Sequence, residues 1–404
     1  MAGAPGKAKR VTQQAPHDDV LGHSTIDPNS VLDQYGRSYQ AYRSGKYYLP
    51  NDALEQDRLD TVHSIYCLAL GGLYLAPIHN PRFVLDLCTG TGVWAIDFAQ
   101  NNPDSLVLGT DLSLIHPAQY PSNCWWMQQN AEEEWTSFRP QDYIHIRSVA
   151  GCFDNNMSVI QKCYRTLTPG GYIELQDILY DTRSYDGTHE GTSLQRFHCA
   201  FTAGLANMGR YLWAPVGYKD MLVAAGFQDV QERTTMIPCN GWPADMHLKN
   251  IGKLQRLSME KGLQAMHKLL IVAGLSDADA VELAKRTLMD ANNRNIHAYF
   301  PLYVVYGRKP LGAPQGPLPV QHCSGSAAGG LYHQLPNRNL WTQPPVATPS
   351  YHQANKNLHM ADPPAELPPY YTNDQPCDYP GFSAPVAQWM PYYEASVPSD
   401  THVT

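Results

Sequence analysis

The stretch from Arg82 to Asp97, Arg-Phe-Val-Leu-Asp-Leu-Cys-Thr-Gly-Thr-Gly-Val-Trp-Ala-Ile-Asp, constrains the fold more than any other part of the chain. Phe83 to Leu87 is a short apolar run bounded by a Thr/Gly turn, and an apolar pattern of helical period begins at Val93. The expectation is a buried parallel strand, a glycine turn and a helix in immediate succession. Gly90 and Gly92 let backbone approach a ligand where a Cβ would collide. A helix starting there turns unpaired N–H groups and its positive dipole end toward a carboxylate or phosphate.

Two ligand classes use such a turn. Read as Gly90-x-Gly92-x-x-Ala95, it fits a dinucleotide fingerprint, with Asp111 near the spacing of an acid that binds a ribose diol. Asp86 tilts the reading the other way. A carboxylate at the strand end would repel a pyrophosphate but suits the ammonium group of a nucleoside that carries an amino acid, such as S-adenosylmethionine (SAM). The pattern Val84-Leu-Asp-x-Cys-x-Gly-x-Gly92, followed by Val107-Leu-Gly-Thr-Asp111, resembles the first two motifs of class I SAM-dependent methyltransferases. That resemblance implies Asp86 facing the methionine amino group, Gly90 and Gly92 lining the methionine moiety, and Asp111 with its neighbour Leu112 at the ribose. Cys88 replaces the first glycine usual in the motif, and its side chain narrows the pocket floor.

Composition limits the alternatives. Charged residues make up only 16% of the 404 residues while Pro (32) and Tyr (25) are abundant, against roughly 25% charged in average globular chains. Part of the chain is therefore not ordinary globular sequence. A net charge of -8 argues against direct nucleic-acid binding, which needs a Lys/Arg excess to displace counterions. The nine cysteines are scattered with no Cys-x-x-Cys pair, which reads as reduced intracellular thiols and no metal. Neither a run of eighteen apolar residues nor a signal-peptide core is present, so a soluble, unsecreted protein with no membrane partner is expected. Lys7-Ala-Lys-Arg10 reads as a solvated charge run, and as an import signal it is weak.

Residues 1–34 are polar and without periodicity, and are expected to be a disordered arm. Asp52 with Glu55 three residues on reads as a capping box ahead of a helix from Leu54 to Leu75. From Phe83 the chain alternates as a doubly wound α/β domain: strands at 83–87, 106–110, 124–128, 143–147 and 172–176, helices at about 93–100 and 154–166. Helices follow at 194–208 and 219–225, a strand at 227–237, two helices within 249–292, and a last strand at 299–306. The segments 178–215 and about 240–295 exceed what the sheet needs, and read as a substrate lid on a methyltransferase domain spanning 35–310. Residues 311–404 hold half of the prolines and only two basic residues, Arg338 and Lys356; this Pro/Tyr-rich tail is expected to be disordered, or an extended partner-binding peptide.

Eight ordered motifs make the likeness closer than a superfamily: Tyr42-Arg-x-Gly-x-Tyr47, Pro50-Asn-Asp, Asp57-Arg-Leu-Asp-x-x-His63, Leu85 to Asp97, Gly109-Thr-Asp-Leu-Ser113, Pro121-x-Asn-Cys124, Tyr143-Ile-His-x-Arg147 and Leu167-x-Pro-Gly-Gly171. Together they resemble the LaeA-like fungal methyltransferases over about 35–310. The resemblance implies a Rossmann-like class I fold of seven strands with the last antiparallel, SAM as cofactor, and a regulator of secondary metabolism and development. It also implies residence in the nucleus, with the cytoplasm as a second compartment, and velvet-domain proteins as partners. The methyl acceptor, protein or small molecule, does not follow from it.

Methyl transfer from a sulfonium is an in-line displacement that positioning alone can accelerate, so no conspicuous catalytic residue is required. Asn130 and Ala131, after the third strand, sit where related enzymes contact adenine. Arg147 and Ser148, at the end of the fourth, are expected at the reacting centre. His145, His198 and Asp177 are the available bases, and none is singled out. Tyr39, Arg43 and Tyr47 are expected to close over the cofactor or to pack. Two other functions compete: a methyltransferase-fold scaffold with little catalysis, which Cys88 favours, and a small-molecule methyltransferase of a biosynthetic pathway.

Overall fold

The computed structural model describes residues 30–135 and 138–313. The N-terminal arm up to residue 29, with the basic cluster Lys7 to Arg10, and the Pro/Tyr-rich stretch from residue 314 lie outside the described residues. A small hairpin of β1 (Val31–Leu32) and β2 (Ser38–Tyr39) opens the described chain, four residues before the expected start of order. Helix α1 (Ala53–Leu70) follows; the Asp52 side chain accepts from Glu55 N at 3.0 Å. The capping box is not reciprocal, because the Glu55 carboxylate is gripped by Arg58 at 2.6 and 2.9 Å. Gly71, at φ 69°, ends the helix by pointing its N–H back to the Cys67 and Leu68 carbonyls, so α1 stops short of Leu75.

The main sheet contains β3 (Phe83–Leu87), β4 (Leu106–Asp111), β5 (Cys124–Gln128), β6 (Gln141–Arg147), β7 (Leu167–Ile178), β8 (Gln228–Pro238) and β9 (Tyr299–Arg308) in the spatial order β5-β4-β3-β6-β7-β9-β8. The first five are parallel, and β9 inserts antiparallel to both β7 and β8. The order reverses between β3 and β6, so the carboxyl ends of these strands border the crevice where open α/β sheets bind ligands.

Side chains alternate across the sheet. Leu85, Leu87, Ile144 and Ile146 join a core beneath α3 (Asn156–Thr166) and α5 (Tyr218–Ala225). On the opposite face Val84 and Tyr143 pack with Trp94 and Phe98 of α2 (Val93–Asn101), and α1 lies beside α2 on this side. Asp86 and His145 share the second face by the same alternation.

The segment expected to hold two helices holds three, α6 (Met246–Ala265), α7 (His267–Val272) and α8 (Asp277–Asn292). With α4 (Ser193–Asn207) they build a cap whose apolar core takes in Tyr48 and Leu49. Residues 40–51 therefore form a strap between cap and sheet. No described helix is long and apolar enough to cross a membrane.

Candidate functional site

The turn after β3 is left-handed at alternate residues: Cys88 at φ 61°, Gly90 at φ 58° and Gly92 at φ 77°. At Cys88 a side chain occupies a conformation that L-residues adopt only at a cost, where a glycine would sit without strain. The two glycines are needed for different reasons. A Cβ on Gly90 would meet nothing nearer than Leu59 at 3.7 Å, so only its backbone angle demands glycine. A Cβ on Gly92 would lie 2.3 Å from the Trp126 ring, so close packing demands it as well.

This turn forms one wall of a cleft of about 1130 Å³, counting the solvent at its mouth. Asp86, Cys88, Gly90, Asp111, Leu112, Asn130, Ala131, Arg147 and Ser148 all line it. Gly92 does not; its contact is with Trp126. Tyr47 lines the cleft, but the other two expected covering residues do not. Tyr39 lies under the Lys268 ammonium and Arg43 pairs with Glu133 at 2.5 Å. Lining residues to which the sequence assigned no role include Lys46, Val62 and Glu132, with Asn51 and Leu59 from two of the quoted motifs. None comes from the cap segments 178–215 and 240–295, because the strap lies between them and the cleft.

Each functional carboxylate is fixed by its surroundings. Asp86 Oδ1 lies 2.7 Å from His145 Nδ1, and Thr89 Oγ1 donates to its other oxygen. The His145 ring is fully buried and stacks on Trp94 at 3.7 Å and 6°. Among the described residues its Nε2 has no partner, which assigns the proton to Nδ1: an orphaned lone pair costs less than an orphaned N–H. Asp111 accepts from Gly90 N at 2.8 Å and Ser113 N at 3.0 Å. Burial raises its pKa, and the backbone N–H groups of Ser113, Gly90 and Leu112 work against that rise. Asp111 thus braces the turn as well as facing the cleft.

Asn130 Oδ1 accepts from Glu132 N at 3.0 Å, folding the loop so that Asn130 and Ala131 face inward. Ser148, at φ 57°, donates from Oγ to Tyr66 OH at 3.1 Å. The Arg147 guanidinium donates to His63 Nδ1 at 3.0 Å, and His63 Nε2 lies 3.0 Å from Asp97 Oδ2. His63 and Asp97 stood inside quoted motifs, but nothing in their spacing shows that α1 and α2 bring them together.

None of the three candidate bases lines the cleft. His145 is committed to Asp86. His198 is sealed in the cap, bonded to Thr182 Oγ1 at 2.8 Å and the Leu194 carbonyl at 2.9 Å, and burial pushes it down to about 4. Asp177 is pushed up by burial to about 7 while holding Ala150 N at 3.0 Å and accepting from Tyr218 OH at 2.8 Å.

Ion pairs tie the strap beside the cleft. Lys46 of the strap pairs with Asp154 and, at 3.4 Å, with Glu132, and Arg210 reaches Asp154 at 2.6 Å. An adenosyl group with an amino-acid tail fits these walls. At about 1130 Å³ with the solvent at its mouth, the cleft lies just above the roughly 300–1,000 Å³ usual for small-molecule sites, and both carboxylates stand on it. Cys88 forms part of its wall without filling it, and burial pushes that thiol up so that it stays neutral.

Residues 66–232 match a family described as "Methyltransferase domain". The methyltransferase pytC of Aspergillus terreus is 33% identical over 76% of this chain and 98% of that protein. The secondary metabolism regulator LAE1 of Cochliobolus heterostrophus is 34% identical over 70% of this chain and 96% of that protein. A protein-methionine methyltransferase, laeA of Emericella nidulans, is 28% identical over 77% of this chain and 84% of that protein.

Proposed function

Because the chain belongs to the LaeA-like family of SAM-dependent methyltransferases, we propose that it methylates its acceptor at the β3–β6 cleft and regulates secondary metabolism, acting in the nucleus in complex with velvet-domain proteins. The observation that carries the catalytic half is the convergence of two carboxylates, a left-handed turn and an inward-facing Asn/Ala loop on one cleft. SAM supplies an electrophilic methyl group on a sulfonium. Asp86, braced by His145 and Thr89, is set for the ammonium, Asp111 for the ribose hydroxyls, and Asn130 with Ala131 for the adenine.

The protein's own task is then to align and to exclude water. The strap, backed by the cap helices, serves as the cover, and Lys46 with Glu132 and Asp154 latches it. No histidine lines the cleft among the described residues, and the buried bases are tied to the scaffold. This favours an acceptor that has no proton to lose, such as a thioether, or one that arrives deprotonated. The name of the Emericella nidulans relative, a protein-methionine methyltransferase, fits the first class. The pytC relative supports the second reading, a small-molecule acceptor of a biosynthetic pathway.

Titration of the full chain with S-adenosylhomocysteine (SAH) tests the cofactor half. Micromolar binding that Asp111→Ala weakens is expected; no binding by the folded wild type leaves only the scaffold reading. A nuclear complex containing a velvet-domain protein, recovered by crosslinking, tests the regulatory half, and its absence from nuclei rejects it.

A further inference from the structure

Two histidines on the same face of the sheet do opposite work. His145 stands behind an anion, Asp86. His63 stands between Asp97 and a cation, Arg147. A guanidinium can only donate, so His63 Nδ1 must accept, and the proton sits on Nε2, aimed at Asp97. The Tyr66 ring covers the guanidinium at 4.9 Å. Among the described residues no carboxylate lies within ion-pair distance of Arg147. An aimed, partly buried cation with spare N–H donors therefore faces the cleft without a counter-ion, an arrangement that a bound carboxylate would complete in bidentate fashion.

The register says which carboxylate. Asp86 pairs with His145 across β3 and β6, and Arg147 lies two residues further along on the same face. The two Cα atoms are then roughly 8 Å apart, from strand rise and spacing, and their side chains flank one end of the cleft with opposite charges. An α-amino acid presents the complementary pair, ammonium and carboxylate on one carbon. An unneutralised guanidinium would also oppose a sulfonium ligand, whereas one tied to that ligand's own carboxylate would not.

We propose that Arg147 receives the α-carboxylate of the bound methionine moiety, and that His63 and Asp97 are the positioning residues that aim it. This rests on the reading of the cleft as a SAM site. The arrangement needs neutral His63. Burial, reinforced by Arg147 and opposed by Asp97, holds its imidazole below the usual range. The groups facing it are Asp60 and Cys67 of its own helix, Asp97 of α2 and Arg147 of β6. Cys67 stays neutral because burial pushes its thiol up to about 11. Protonating Nδ1 removes the acceptor for Arg147 and puts two cations in contact.

The test is calorimetry on the full chain with SAH and with 5′-methylthioadenosine, which keeps the adenosyl thioether and lacks the amino acid. Arg147→Gln should weaken SAH roughly tenfold or more and leave methylthioadenosine nearly unchanged. His63→Gln, whose amide oxygen can still accept, should keep part of the preference for SAH and lose its dependence on pH. The wild-type preference should fall as pH drops through the depressed titration of His63. An Arg147→Gln protein that keeps the wild-type preference, or that loses both ligands equally, overturns the proposal. A wild type that binds neither ligand instead removes the cofactor reading beneath it.

Discussion

The two sides of the cleft are built differently. On the sheet side, Asp86 and Asp111 are held by backbone amides, a buried histidine and a hydroxyl, within a turn whose angles are set residue by residue. On the strap side, Tyr48 and Leu49 are buried in the cap, but the turn before them is held by ion pairs to residues far away in sequence, Arg43–Glu133 and Lys46–Asp154, with at least one partner of each pair well exposed. Exposed pairs contribute little individually and are screened by salt, whereas desolvated hydrogen bonds and close packing are costly to disturb. The difference teaches that the floor is preformed, while the ion-paired turn at Arg43 and Lys46 can shift at small cost on a strap anchored by buried Tyr48 and Leu49.

That contrast can be broken most forcefully from the buried sheet behind the cleft. Asp177 has a folded pKa of about 7, raised by burial above the ordinary carboxylate value of 3.8. Its contribution to stability is therefore complete below the unfolded value and is lost as pH rises through about 7. Asp177→Asn keeps the acceptor for Ala150 N but cannot ionise. Its stability relative to wild type should climb between pH 4 and 7 by up to about 4 kcal/mol, read by urea denaturation across that range. Parallel pH curves for the two proteins would show that Asp177 is not sealed.

Next in size is the unequal demand for glycine. Gly92→Ala drives a methyl into Trp126 in a left-handed conformation and should cost about 2–4 kcal/mol. Gly90→Ala makes only an ordinary contact with Leu59 at 3.7 Å and should cost only about 1–2 kcal/mol. Equal losses of melting temperature in the two variants would deny the packing role of Gly92.

Asp111→Ala removes the acceptor for Gly90 N and the group facing the ribose. SAH binding should weaken by about 1.5–3 kcal/mol, with a smaller change in stability. The smallest effect belongs to the strap: Arg43→Ala should alter stability by less than about 1 kcal/mol. Low-salt and high-salt melts should converge in this variant if the pair is as exposed as it looks. A loss of several kcal/mol would make the strap part of the fold and not a cover.

Strand β3, the turn and α2 were legible because a short apolar run, a glycine turn and a helical period follow each other without interruption, and β5 was legible to the residue. The third helix of the insertion was not, since the break around Met266 interrupts a continuous amphipathic pattern without proline or glycine at the boundary. Nor was the pairing of Glu55 with Arg58, because a glutamate three residues after a cap has two competing partners and only burial decided between them. Of the residues read as cofactor contacts, Gly92 is the one set apart from the cleft, because the bulky ring opposite it comes from another strand.

What the sequence alone determined is whatever depends on neighbours in the chain: the strand ends that carry Asp86 and Asp111, the left-handed turn between strand and helix, and the periodicity that places α2 on one face. Tertiary structure decided what depends on distant segments meeting. It put His145 under Trp94, brought His63 and Asp97 to Arg147, and laid the strap between cap and cleft. Local conformational preference acts over a few residues and is written in their order, but the partner of a buried charge is chosen by packing, when desolvation leaves it no water to turn to.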